Sequence, residues 1–168
     1  AEPSPTALTV FLESQLERYS SVLSRVAVPY RVDRRGRAVR SSVRATSIDA
    51  STGLISSARD LARYDAALDD GVLLEDDALR TMWSNVAPGG AVRPTGLGWF
   101  VQHHNGQQLI WHFGYMPDAY SSLILKVPGR RLTLILLANS DGLSAPFDLS
   151  RGDVTSSLFA ATFLRLFL

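Results

Sequence analysis

Asn105-Gly106 stands between two runs, Gly96–His104 and Gln107–Phe113, in which bulky apolar residues recur. This dipeptide is the strongest short-range signal for a two-residue β-hairpin, because both turn positions need positive φ. Such a turn fixes the register, pairing His103 with Gln108, Val101 with Ile110 and Trp99 with His112. Alternation then places Trp99, Val101, Ile110 and His112 on one face, and Phe100, Leu109, Trp111 and Phe113 on the other. Both faces carry large apolar side chains, so the sheet needs cover on both sides.

A second hairpin follows, Ala119–Val127 and Arg131–Asn139 about Pro128-Gly129. Within it, Leu132–Leu137 is apolar on both faces, the pattern of an interior strand. Helices are expected upstream. Ser4-Pro5 forms an N-cap and first-turn pair, and Leu8, Phe11, Leu12, Leu16, Tyr19, Val22 and Leu23 recur at helical spacing over roughly residues 5–24. Ser57 and Asp60 form a capping box for a second helix with a Leu61, Tyr64, Leu68 stripe, and Gly71 falls at its C-cap. Glu75-Asp76-Asp77 opens a third helix through Met82 and Trp83, where these acids suit the helix dipole better than a metal.

Residues 33–50 are polar and read as a loop or irregular crossing, with a turn at Asp33–Arg37. Five arginines fall between positions 31 and 40, and a solvated loop is the simpler reading than a phosphate or carboxylate site. A closing helix is expected from about Ser150, with Leu158, Phe159, Leu164 and Phe167 packing on one face. Helices, an antiparallel meander and a last helix make an α+β chain. The expectation is one domain over residues 1–168, with an antiparallel sheet of about four strands between N-terminal helices and a C-terminal helix.

The net charge is +1, so nothing argues for nucleic acid or an anionic membrane as partner. The absence of cysteine removes disulfides, thiolate nucleophiles and Cys-type zinc sites, and leaves the compartment undetermined. No apolar run is long enough to span a bilayer, and Ala1–Pro5 lacks the features of a signal peptide. A periplasmic or secreted location therefore depends on sequence upstream. His103 and His104 lie near His112, but neighbouring strand residues face opposite ways and no carboxylate stands at ligand spacing. No metal or cofactor is expected.

Five pieces occur in order: Ser56–Tyr64, Gly96-Leu97-Gly98-Trp99-Phe100, His112-Phe113-Gly114, Pro128-Gly129 and Leu137-Ala138-Asn139. Over roughly residues 25–140 this series resembles the class C β-lactamase-like family, part of the serine β-lactamase and penicillin-binding-protein superfamily that includes DD-peptidases and esterases. The resemblance implies a partial β-lactamase-like (transpeptidase) fold and acyl transfer to serine. His112 would take the cationic or proton-relay position of the family's third motif, usually Lys-Thr-Gly or His-x-Gly. Gly114 would allow close backbone approach to substrate, and Tyr115 would offer an oxyanion-hole N–H. Phe113 stands where a Thr or Ser is usual, which moves the expected substrate from a β-lactam or D-Ala-D-Ala toward an ester or amide with an apolar acyl group.

Two family motifs do not occur. The one lysine, Lys126, has Leu123 three positions before it, so there is no Ser-x-x-Lys. Asn85, Asn105 and Asn139 follow Trp83, His103 and Leu137 at the two-residue interval, so there is no Tyr-x-Asn or Ser-x-Asn. No Gly-x-Ser-x-Gly elbow replaces them. The chain is thus expected to be the C-terminal part of a family member, inert by itself, whose parent acts on a small-molecule or peptide substrate. A non-catalytic peptide-binding or scaffolding module is the competing expectation, and a separate chain supplying the nucleophile is a third. In this family a further strand lies beside the one at 131–139. Without it, that open sheet edge would pair with a second copy as a homodimer or be covered by the terminal segments.

Overall fold

The computed structural model describes residues 13–43, 54–86 and 89–168. The elements in chain order are α1 (Glu13–Leu23), β1 (Tyr30–Val32), β2 (Ala38–Arg40), α2 (Ala58–Asp69) and α3 (Asp76–Met82). They continue with β3 (Phe100–His104), β4 (Gln107–Met116), β5 (Tyr120–Val127), β6 (Leu132–Ala138) and α4 (Leu158–Phe167). The main sheet is an antiparallel meander in the order β3-β4-β5-β6, while β1 and β2 form a separate hairpin. This is the α+β arrangement that the sequence implies. The Ser4-Pro5 cap and the first part of the expected helix lie outside the described residues.

Asn105 and Gly106 both have positive φ, at 49° and 73°, and the hairpin register matches the expected pairs His103–Gln108 and Val101–Ile110. Both sheet faces are covered. On one, Trp99, Val101 and Ile110 pack with Leu68 of α2 and Leu79 of α3. On the other, Leu109, Trp111, Leu123, Leu125 and Val127 pack with Leu149, Val154, Ala160 and Leu164 of the closing segment.

Three expectations of element boundaries need correction. The first strand of the meander begins at Phe100, four residues later than Gly96, because residues 96–99 form a tight turn closed by Gly96 N–H donating to Trp99 O at 2.8 Å. Gly98 holds φ +76°, and a Cβ on Gly96 would lie 2.3 Å from the Met82 carbonyl oxygen, so neither position suits a regular strand. The Arg-rich segment is an ordered hairpin over residues 30–40 and not a loop, although residues 44–53 lie outside the described residues. The closing helix starts at Leu158 with Ser157 as N-cap, after two short 3-10 turns, and buries Ala160 and Leu164 while Leu158 and Phe167 stay exposed. The strand with the interior pattern, β6, lies at the edge of the sheet among the described residues, as expected where its further neighbour is missing.

On α2 Ser57 is the N-cap as expected, its Oγ accepting from Asp60 N–H, while the Asp60 carboxylate accepts from the Ser57 hydroxyl and not from the backbone N–H of a full capping box. The inward stripe differs: Tyr64 is exposed, whereas Asp65 is buried beside Leu68. The cause lies on β5. Lys126, only 1 % exposed, reaches from the sheet to the carboxylates of Asp65 and, at 2.9 Å, Asp69, one helical turn apart. Its ammonium also lies 3.5 Å from Thr133 Oγ1 of β6 and 5.9 Å from the centre of the Trp83 ring. One charged group thus ties α2 and the end of α3 to two strands.

Removing one partner of a buried ion pair leaves the other charge uncompensated in a poor dielectric. Lys126→Met should therefore lower unfolding free energy by about 3–5 kcal/mol in urea titration. Adding Asp65→Asn should recover part of that loss; no recovery would show that the pair does not carry the effect.

Candidate functional site at the uncovered half of β4

β4 runs ten residues and β3 only five, so β3 covers Gln107–Trp111 and stops. From His112 to Met116 no described residue pairs with the outer edge of β4, while β5 pairs along its inner edge. In a two-residue hairpin the flanking pair, here His104 and Gln107, exchanges both hydrogen bonds, and the pattern then alternates. Val101 N–H confirms the phase by turning away from β4 to Pro94 O at 2.9 Å. Counting onward, the backbone groups of His112, Gly114 and Met116 face β5. Those of Phe113 and Tyr115 face the uncovered edge.

The side chains follow from the same interruption. His112 is exposed and its imidazole makes no hydrogen bond among the described residues. Simple alternation would keep it apart from the rings of the opposite face. Instead its ring centre lies 5.9 Å from Phe100 and 6.0 Å from Phe113, nearly parallel to the latter at 23°. With no strand beyond Phe100 to confine it, the imidazole borders the aromatic group in which Phe100 and Trp111 stack at 4.4 Å. Phe113 is half-buried and packs against the core beneath, so its side chain is a structural wall. Tyr115 is 51 % exposed.

Gly114 answers a steric demand. A Cβ there would lie 2.4 Å from Ser122 Oγ on the paired strand, so the serine hydroxyl occupies the space of the missing side chain. The Gly114 carbonyl also accepts from Ser144 Oγ at 2.9 Å. Ser144 belongs to a segment that braces this end of the sheet. Ser121 Oγ donates to Ser140 O at 2.6 Å and accepts from Leu143 N–H at 3.0 Å, and Asp141 Oδ2 accepts from Asp118 N–H at 3.0 Å. Asp118, at φ 58°, turns the chain from β4 into β5. Nearby, Tyr120 donates its hydroxyl proton to Ala27 O at 2.7 Å, and burial raises its pKa above the ordinary tyrosine value.

Sequence reasoning singled out His112, Phe113, Gly114 and Tyr115, and the structure sets all four on one half-strand. It missed Ser122 and Ser144, which shape and hold that half-strand. The available signal for Ser122 was its place opposite Gly114 across the connection between two strands of the expected meander. Along a strand, His112 and Tyr115 stand about 10 Å apart at about 3.4 Å per residue, so their roles are separate. An imidazole that can move a proton stands at one end, and an outward backbone N–H that can receive a developing oxyanion stands at the other.

The fold is that of a serine-hydrolase-like α+β chain. A family model described as Beta-lactamase matches residues 12–154, and the chain belongs to that family. No curated protein and no solved structure matches it significantly.

If Ser122 fills the Gly114 notch, Gly114→Ala should destabilise the chain by about 1 kcal/mol, near the low end for overpacking because a serine can change rotamer. Ser122→Ala in the same molecule should remove most of that penalty in a double-mutant cycle. Additive losses would place the clash elsewhere.

Proposed function

We propose that this chain supplies the third-motif wall of an acyl-transfer site, and that the nucleophile comes from polypeptide other than these 168 residues. The observation that carries this reading is the uncovered half of β4, with His112 exposed beside outward-facing backbone groups of Phe113 and Tyr115. His112 serves as proton relay or cation, Tyr115 N–H as oxyanion donor, and Gly114 keeps the strand flat against substrate. Phe113 contributes its backbone and an apolar wall in place of a hydroxyl, which favours an ester or amide with an apolar acyl group.

Because the sequence has no Ser-x-x-Lys, the isolated chain does not acylate. Incubation with a fluorophosphonate and with a labelled penicillin should give no stoichiometric adduct in intact-mass spectra. Such an adduct on the wild-type chain would overturn the assignment.

One observation favours a second reading. An uncovered strand edge is also a template for an extended peptide, so the same half-strand suits a non-catalytic peptide-binding module. The outer edge of β6 offers a comparable template for a second copy. By the same alternation Thr133, Ile135 and Leu137 point their backbone groups outward, and the described chain uses that edge only at Asn139 O, which accepts from Tyr30 N–H at 2.7 Å. Homodimerisation through residues 131–139 is the assembly we propose.

A further inference from the structure

The chain's small net charge conceals a strong local asymmetry. Residues 31–40 hold five arginines and one aspartate, a net of +4. The remainder has twelve basic against fifteen acidic side chains, a net of −3. The structure gathers the positive segment onto the β1–β2 hairpin, with Arg34 and Arg35 at its exposed tip and Arg31 and Arg40 on its strands.

The one acid does not cancel this charge at the tip. Asp33 turns into the hairpin, accepting from the backbone N–H groups of Arg35 and Arg37 at 2.8 and 2.9 Å and from Arg37 Nε at 3.0 Å. The Arg37 backbone bond foremost holds its carboxyl below the usual aspartate range. Arg34, Arg35 and Arg40 make no ion pair or side-chain hydrogen bond among the described residues. Val32, beside them, is 53 % exposed.

The hairpin's root is fixed while its tip is free. Ser41 N–H donates to Pro29 O at 2.9 Å, Tyr30 N–H to Asn139 O at 2.7 Å, and Asn139 Nδ2 to Val28 O at 2.8 Å. Asn139 and Tyr120 mark the end of the sheet that also carries Gly114–Met116.

We propose that the β1–β2 hairpin is a docking finger for an anionic lipid surface. Clustered arginines are drawn to such a surface, and the negative remainder of the chain is repelled by it, so the molecule is oriented with the hairpin inward. The exposed Val32 adds an apolar contact. A nucleic acid fits less well, because the hairpin tip offers no aromatic ring for base stacking and the rest of the chain lacks the positive charge to follow a phosphate backbone. The contact stands independently of the acyl-transfer reading, and the shared sheet end would bring the uncovered half of β4 toward the same surface.

The test is co-sedimentation of the full chain with vesicles of phosphatidylcholine, with and without phosphatidylserine. Binding should require phosphatidylserine and fall as salt shortens the Debye length from about 10 to about 3 Å. Each tip arginine should contribute about fivefold, so Arg34→Gln with Arg35→Gln should weaken partitioning about 30-fold. A control pair removed from the hairpin, Arg59→Gln with Arg130→Gln, should change it much less, with circular dichroism verifying that both variants fold. Equal binding to both vesicle types, an equal loss in the control pair, or binding to duplex DNA but not to the vesicles would overturn the proposal.

Discussion

The length mismatch between β3 and β4 is the constraint on which the candidate site depends. It originates in the turn at residues 96–99, where Gly96 lies against the Met82 carbonyl at the end of α3 and leaves no room for a side chain. The chain can enter the sheet only at Phe100. Five residues of β3 therefore face ten of β4, and the unmatched half keeps an edge that no described residue pairs, an exposed histidine and two outward-facing backbone positions. A helix end and a glycine turn, neither part of the half-strand, thus decide how much of β4 is covered.

The opposing side of that half-strand is equally determined. Ser122 fills the place of a Gly114 side chain, Ser144 holds the Gly114 carbonyl, and Asp141 fixes the turn into β5. The inner edge is braced where the outer edge is unpaired among the described residues. Lys126 extends the same rigidity toward the helices through Asp65 and Asp69. A buried charge of this kind is weak evidence for net stability. It does favour one docking of α2 over others, since any shift of that helix would strand the ammonium among apolar residues.

Much of this was legible because it is local. Asn105-Gly106 names its own turn type, Ser57 and Asp60 their own cap, and the apolar runs of β5 and β6 their own strands. What escaped reading depends on distance or on termination. Asp65 and Lys126 are far apart in the chain, and periodicity gave no reason to bury an acid where Tyr64 looked like the inward residue. The β1 and β2 strands are three residues each, too short for alternation to show. His112 was placed by simple alternation, which fixes the direction of Cβ but not the rotamer that brings the imidazole beside Phe100 and Phe113. The resemblance to a family motif was visible, but the unpaired edge beside it was not, because the sequence does not show where β3 stops.

Residue-resolved amide hydrogen exchange tests that edge most directly. The account predicts alternating protection along β4, with the His112 and Gly114 amides exchanging slowly and those of Phe113 and Tyr115 exchanging rapidly, while Leu109 and Trp111 under β3 stay protected. Uniform slow exchange from His112 through Tyr115 would mean that the outer edge is already paired, and would contradict the account.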